Sequence, residues 1–333
     1  MKAFTYIVNL LLLSAILAGC GGKPKIGFLM DNLEIDRWEK DKQKFEERVE
    51  ELGGVPIVRV ANGNSPTQVQ QAQQLLYDHV DVLVVIPVDL HASRDIVTKA
   101  HNEDVPVISY DRMIRDCDVD YYVSTDNINI GELQADYLSR MAPKGKYALI
   151  GGPQKDNNAR LLHLGWMNVL QPLITKGDIE LVVDQFVENW ESEEAYKIMK
   201  DYLSTSNGPL DAVIAGNDEL AGGAIKALKE HNMAGDVLVA GQDAELEAIR
   251  SIIAGNQTIS IYKPIDALAY TAANMAMQLA NDEGPINTNL TVNNGSKLVP
   301  AVLLSSQVVN KENIKMTVVS EGFMEEAEIY EYE

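Results

Sequence analysis

The chain has 333 residues, of which 49 are acidic and 28 basic, giving a formal net charge of −21. A surface that acidic repels phosphate backbones and excludes nucleic acid as a partner. The 46% hydrophobic content is that of a globular chain, and the length suits two domains of ordinary size.

The first twenty residues read as a targeting segment. Lys2 supplies a positive start, and Ile7 to Leu17 is an apolar run too short for a resident membrane helix. It closes on Leu17-Ala18-Gly19-Cys20, which resembles a bacterial lipobox. That pattern predicts a lipoprotein signal peptide over 1–19, with cleavage before Cys20 and fatty acylation (palmitate) of its thiol. An ordinary signal peptide with a chance cysteine is the alternative. Gly21 to Pro24 would form a tether reaching roughly 14 Å, holding the body close to a cell membrane. Cys117 is the only other cysteine, so no structural disulfide within the chain is expected.

From Lys25 onward, apolar strands alternate with amphipathic helices, which predicts parallel sheets covered on both faces. KIGFLM leads to a helix around Trp38 to Leu52, with Trp38, Phe45, Val49 and Leu52 on one face. VPIVRVANGN, a helix over Gln68–His79, DVLVVIPVD, a helix over Ser93–Asn102 and VPVISYD follow. The second half repeats this order in KYALIGG, IELVVDQFVEN, LDAVIAGND and DVLVAGQD. Asp218 then stands where Asp89 stands, and Asp243 where Asp111 stands. The expected fold class is α/β, with two similar doubly wound parallel-sheet lobes joined by a hinge and a ligand in the interlobe cleft. Crossovers are expected near Asp126–Ile130 and Ser260–Pro264. Residues 24–127 plus about 264–300 would form the N-terminal lobe. Residues 128–262 plus about 301–325 would form the C-terminal lobe, and 326–333 an acidic, solvated tail.

Open α/β sheets bind ligands outside the carboxyl ends of their strands. Asp31, Asn62, Asp89, Asp111, Arg112, Asn217, Asp218 and Asp243 collect at those ends. Fixed carboxylates and amides, with Arg112 and Lys263 as donors, suit a polyhydroxylated, uncharged ligand. Trp38 and Trp190, at candidate strand-to-helix junctions, could stack on the apolar face of a pyranose. Blander readings compete. Asp111 and Arg112 could pair locally on a solvated loop. Trp38 could begin a buried helical stripe, and Trp190 could be a contact beside the Ser192-Glu193-Glu194 cap. Asp218 could be a helix N-cap, and Lys263 a surface charge. No nucleophile elbow, phosphate-binding loop or zinc-protease motif occurs, and no histidine pair has metal-ligand spacing. No catalytic residue, metal or cofactor is therefore assigned.

DRWEKD at 36–41, ANGN at 61–64, YDRMI at 110–114, GELQA at 131–135 and DNNA at 156–159 together resemble a known family. NDELAGGAI at 217–225, GQDAEL at 241–246 and YKPI at 262–265 extend the match. It is that of the periplasmic-type sugar-binding proteins of ABC transporters, ribose-binding class, and it covers Lys25 to about Phe323. The resemblance implies a ring of sugar contacts: Arg37, Trp38, Asp111, Arg112, Asp156, Asn158, Trp190, Asn217, Asp243 and Lys263. Of these, Arg37, Asp156 and Asn158 rest mainly on the resemblance. It further implies a monosaccharide ligand, D-xylose or a close aldopentose or hexose, and a monomer that delivers it to a membrane permease outside the cytoplasm. The short tether favours an alternative: a sugar-sensing subunit of a membrane histidine kinase or chemoreceptor.

Overall fold

The computed structural model describes residues 22–33, 36–205, 208–288 and 290–330. The signal segment, Cys20 and residues 331–333 of the tail lie outside the described residues.

The first lobe alternates β1 (Lys25–Met30), α1 (Asp36–Glu51), β2 (Val55–Val60), α2 (Ser65–Tyr77), β3 (Val82–Val85), α3 (Arg94–His101), β4 (Val107–Tyr110) and β5 (Tyr121–Thr125). Every residue of β3 and β4 is buried, as expected of β-branched and apolar runs covered on both faces. Helix starts are marked by local chemistry. Asn64 accepts a 2.8 Å bond from the Thr67 amide ahead of α2, with Pro66 in the first turn.

The chain then crosses at Asp126 into α4 (Asn127–Met141), whose first turn Asp126 caps through the Asn129 amide. The second lobe follows with β6 (Gly145–Gly151), α5 (Asn157–Lys176), β7 (Ile179–Phe186), α6 (Ser192–Thr205), β8 (Ala212–Ala215), α7 (Asp218–Glu230), β9 (Leu238–Ala240), α8 (Leu246–Ala254) and β10 (Ser260–Tyr262). At Lys263–Pro264 the chain returns to the first lobe through α9 (Ile265–Ala280), β11 (Leu290–Asn293) and β12 (Leu298–Leu304). It ends in the second lobe with β13 (Gln307–Val309) and α10 (Glu326–Tyr330).

The first sheet runs β2-β1-β3-β4-β5-β12-β11, with only β11 antiparallel to its neighbour. The second runs β7-β6-β8-β9, and the Ala240–Ile259 bridge joins it to the β10–β13 pair. Strand order is therefore the same in both lobes, as the duplicated sequence pattern predicts. Each sheet carries a core on both faces. Phe28, Phe45 and Tyr110 pack under α1 and α9, and Leu29, Leu75 and Val97 under α2 and α3. In the second lobe Leu203 and Leu228 lie on one face, Trp166 and Leu138 on the other.

Two expectations need correction. The boundary placed at about 300–301 falls inside β12, because Ala301–Leu304 pair in parallel with Tyr122–Thr125 of the first sheet. Pro300 lies inside β12, opposite Thr291 of β11 and one residue before the pairing with β5 begins. A third crossing thus lies at 305–306. The acidic tail is also not wholly solvated. Ile329 in α10 is fully buried beside Ile249 and Ile252 of α8, and Arg250 donates a 2.7 Å bond to the Glu328 carbonyl.

Close backbone approach fixes the packing of α4 on α5. A Cβ added at Gly131 would overlap the Leu162 carbonyl oxygen, and one at Gly165 the Ile128 carbonyl oxygen. Gly131→Ala or Gly165→Ala should each lower stability by about 1–3 kcal/mol, the usual cost of overpacking. Urea denaturation checks this, and an unchanged midpoint would show that the helices part without resistance.

Candidate binding site

The strand tips supply the site through unusual backbone. Asp111, just past β4, has φ +59, and its amide donates to the Val123 carbonyl of β5 at 2.8 Å. Asp243, just past β9, has φ +95, and its amide donates to the Ile261 carbonyl of β10 at 2.8 Å. The two aspartates thus occupy matching places in the two lobes. Non-glycine residues in the left-handed region are uncommon and cluster where a side chain must be aimed.

Arg37 and Trp38 enter from the first turn of α1. Asp156 caps α5 by accepting from the Asn158 amide at 2.9 Å, so the cap and the neighbouring asparagine both face the cleft. Trp190 precedes α6, and its ring lies across Gly152 and Gly216, where any Cβ would overlap it. Its indole N–H donates to Asp156 Oδ2 at 3.3 Å. Asn217 caps α7 through the Leu220 amide. Lys263 stands at the second crossing. All ten residues expected from sequence line a single small cavity between the lobes, together with Gln242. Arg112, Asp156, Trp190 and Asn217 also border an outer chamber of about 450 Å³ that opens to the cleft mouth.

Three cations and three carboxylates line the cavity, with Asp41 and Asp31 as further partners behind the arginines. Arg37 pairs with Asp111 at 3.0 Å, with Asp41 at 3.3 Å and with Asp243 across the cleft at 3.7 Å. Arg112 pairs with Asp31 at 2.6 Å and, across the cleft, with Asp156 at 3.0 Å. Lys263 pairs with Asp243 at 3.0 Å. Asp111 and Arg112 are 3% and 8% exposed, so they are not a local pair on a solvated loop; each faces a different partner. Burial alone would raise the Asp111 pKa, but Arg37, Lys263 and Arg112 outweigh it and hold the carboxylate below its ordinary range. Burial likewise works against the Arg37 charge, and Asp111, Asp41 and Asp243 more than restore it. Asn158 Nδ2 donates across the cleft to Asp111 Oδ2 at 3.1 Å. Arg37 stacks 4.3 Å above the Trp38 ring, which is 2% exposed. Among the described residues, Trp38 Nε1, Asn158 Oδ1, Gln242 Oε1 and Asp243 Oδ1 of the lining have no hydrogen-bond partner, although Asp243 Oδ1 is ion-paired with Lys263.

Sequence reasoning missed Asp41 and Gln242. Asp41 lies four residues after Arg37, on the same face of α1, and also accepts from the Tyr110 hydroxyl. That spacing was available in the sequence, but nothing there showed the face to be buried. Of the other strand-end residues, Asn62 and Asp89 are exposed; Asp89 only caps the His91 and Ala92 amides. Asp218 is not the cap of α7. Asn217 is, and Asp218 is the first helical residue, 3% exposed and turned away under the sheet edge.

Two parallel-sheet lobes of the same strand order, closing a polar cleft at their strand tips, define a bilobal ligand-binding protein rather than an enzyme. The sequence comparison agrees. Residues 26–284 match the periplasmic binding protein domain, and the chain belongs to that extracytoplasmic family of binding proteins. It is 46% identical over 305 residues to the D-xylose-binding periplasmic protein of Escherichia coli strain K12, covering 92% of each chain. It is 43% identical over 306 residues to the Haemophilus influenzae protein of the same name, again covering 92% of each. Among solved structures, a carbohydrate transporter solute-binding protein from Chloroflexus aurantiacus in complex with D-glucose superposes with a TM-score of 0.85. That match is 28% identical and covers 92% of this chain and 98% of the other.

Burial pushes the Asp41 carboxyl up to about 6, against the opposing pull of Arg37 and the Tyr110 hydroxyl. Its unfolded value is about 3.9. The folded chain therefore keeps the proton longer, and this stability is full below about pH 4 and lost as pH rises through 6. Between pH 4 and 7 the stability of Asp41→Asn should rise relative to wild type by on the order of 3 kcal/mol. The slope, measured by denaturant titration across that range, is the test. Parallel curves would show that Asp41 is ionised throughout.

Proposed function

We propose that the chain captures a monosaccharide, D-xylose first, outside the cytoplasm and delivers it to an ABC transporter permease. The supporting observation is the charge-matched cavity. Arg37, Arg112 and Lys263 face Asp111, Asp156 and Asp243. A lining with equal numbers of cations and carboxylates suits a neutral ligand. Its unpartnered indole N–H and amide oxygens ask for groups that both donate and accept, which hydroxyls do. Trp38 and Trp190 supply flat apolar surface for a sugar ring. The sugar named for the relatives with 46% and 43% identity points to D-xylose among the neutral polyols.

Binding and closure follow from the same groups. Asp111, Arg112, Arg37 and Trp38 come from the first lobe, and Asp156, Asn158, Trp190, Asn217 and Asp243 from the second. A sugar hydroxyl shared between Asp111 and Asn158, or between Arg37 and Asp243, bonds to both lobes only when they are closed. The ligand thereby favours the closed state by its differential affinity. The permease would recognise that closed form. The lipobox reading adds an anchor at Cys20, which keeps the protein near its permease. Cys20→Ser should move the protein from the detergent phase to the aqueous phase in a Triton X-114 partition; equal partitioning of the two would remove the anchor from the model.

Calorimetric titration of residues 21–333 with D-xylose, D-ribose, D-glucose and L-arabinose tests the ligand. D-xylose should bind tightest and quench or shift tryptophan fluorescence. Asp111→Ala and Asp243→Ala should each weaken it by at least about 100-fold, since truncation strands a buried cation. No heat with any of the four sugars would overturn the assignment.

A further inference from the structure

Asp218 is a buried carboxylate near the cleft that, like Asp41, lines no part of the sugar cavity, and among the described residues no ion pair explains it. It lies directly behind the turn that carries Asp243. Its own amide donates to the Gln242 carbonyl at 2.9 Å. Its Oδ2 accepts from the Glu245 amide at 3.0 Å and from Ser260 Oγ at 2.6 Å, and its Oδ1 from Gln257 Nε2 at 2.8 Å. Ser260 Oγ in turn accepts from the Ala244 amide at 3.0 Å. A Cβ on Gly241 would overlap Asp218 Oδ1, so the carboxylate fills the space under the turn.

The turn needs such support. Asp243 and Ala244 both have positive φ, +95 and +52, and neither is glycine. Two successive left-handed residues persist only where their surroundings over-determine them. Here those surroundings converge on one carboxylate. Its counterpart in the first lobe, Asp89, is exposed, and its side chain accepts only from the His91 and Ala92 amides of the turn before α3 among the described residues. The single left-handed Asp111 is held by β5, with Tyr122 and Ser124 hydroxyls on its carbonyl.

We propose that Asp218 is a positioning residue for the sugar site: in its ionised form it holds the 241–245 turn so that Asp243 meets the ligand. This rests on the monosaccharide reading above. The charge state matters because only a carboxylate accepts all three donors; a protonated one gives up an acceptor position on the turn. Burial, with Asp243 reinforcing it, pushes the Asp218 carboxyl up to about 7, and the Ser260, Gln257 and Glu245 donors pull the other way. The charged group that faces it on the cleft side is Asp243. On the outer side a groove between α7 and α8, lined by Glu219, Lys226, Glu245 and Glu247, reaches Asp218 and gives protons a path.

The test is D-xylose affinity by calorimetry between pH 5.5 and 8.5 for wild type, Asp218→Asn and Ser260→Ala, with thermal melts in parallel. Wild-type affinity should rise severalfold across pH 6–8. Asp218→Asn should bind about tenfold more weakly at pH 8, approach wild type near pH 5.5, and lose the rise. Ser260→Ala removes one donor to the carboxylate, so its rise should persist but move to higher pH. An Asp218→Asn protein that binds like wild type at every pH overturns the proposal. So does one weakened by a constant factor with the pH profile intact, which is what a merely structural role gives. If Asp218→Asn does not fold, an unshifted Ser260→Ala profile overturns it alone. Wild type that binds no sugar at any pH would instead refute the monosaccharide reading, and the two failures are distinguishable.

Discussion

Arg37 is the interaction on which the cleft depends. A buried guanidinium must be matched by carboxylates, because an uncompensated buried charge costs several kcal/mol. Its three partners come from three places: Asp41 from its own helix, Asp111 from the tip of β4 and Asp243 from the tip of β9. The first turn of α1, the first sheet and the second lobe are tied through one side chain. Arg112 repeats the arrangement on a smaller scale, joining Asp31 in the first lobe to Asp156 in the second. Such pairs contribute little net stability by themselves. Their effect is to fix where each carboxylate oxygen lies, and so which hydroxyls can replace or share those bonds.

The two lobes share a strand order but have different chemistry. Matching positions, Asp111 and Asp243, both adopt left-handed backbone, and each bonds to the equivalent neighbouring strand of its own lobe. Around them the lobes diverge. The first contributes the two arginines, and the second contributes Asp156, Asn158, Asn217 and the Trp190 face over its glycine floor. A lobe bearing fixed cations thus closes on one bearing carboxylate and amide acceptors. The shared topology supplies the geometry of the strand tips, and the differing side chains supply complementarity between them. Lys263 lies where the chain passes from one lobe to the other, and it completes the charge balance from the hinge side.

Much of this was legible because strand tips in α/β sheets are both a topological feature and a sequence feature. An apolar run that ends in Asp-Arg or Asn-Asp announces its own polar end, and the internal repeat then pairs Asp111 with Asp243. What was illegible depends on contacts distant in sequence. Asp41 reads as one more charge on an amphipathic helix until Tyr110, 69 residues away, is seen to bury it. Asp218 reads as a cap because Asn and Asp are equally good caps, and only the fold shows that Asn217 takes that role. The third crossing was hidden because the parallel pairing of Ala301–Leu304 with Tyr122–Thr125 joins segments far apart in sequence and leaves no local mark. The packing of Ile329 against α8 is similarly invisible within a run of glutamates.

Discrimination between sugars follows from how these walls resist movement. A cavity built to hydrogen-bond a particular hydroxyl rejects an epimer strongly, because the misplaced hydroxyl leaves buried partners unmatched. Rejecting a larger sugar is a different problem, since a hexopyranose keeps the pentose ring and adds a hydroxymethyl group. An apolar wall gives way to one extra carbon at modest cost. A wall of interlocked ion pairs does not, because displacing Arg37 strands Asp41, Asp111 and Asp243 together. The cleft therefore has its stiffest side at α1 and its most open side toward the outer chamber beyond Arg112 and Trp190. A substituent aimed at the first side meets paired charge that cannot yield singly; one aimed at the second meets solvent. Which carbons of the ring face Arg37 then decides whether pentose and hexose are told apart at all.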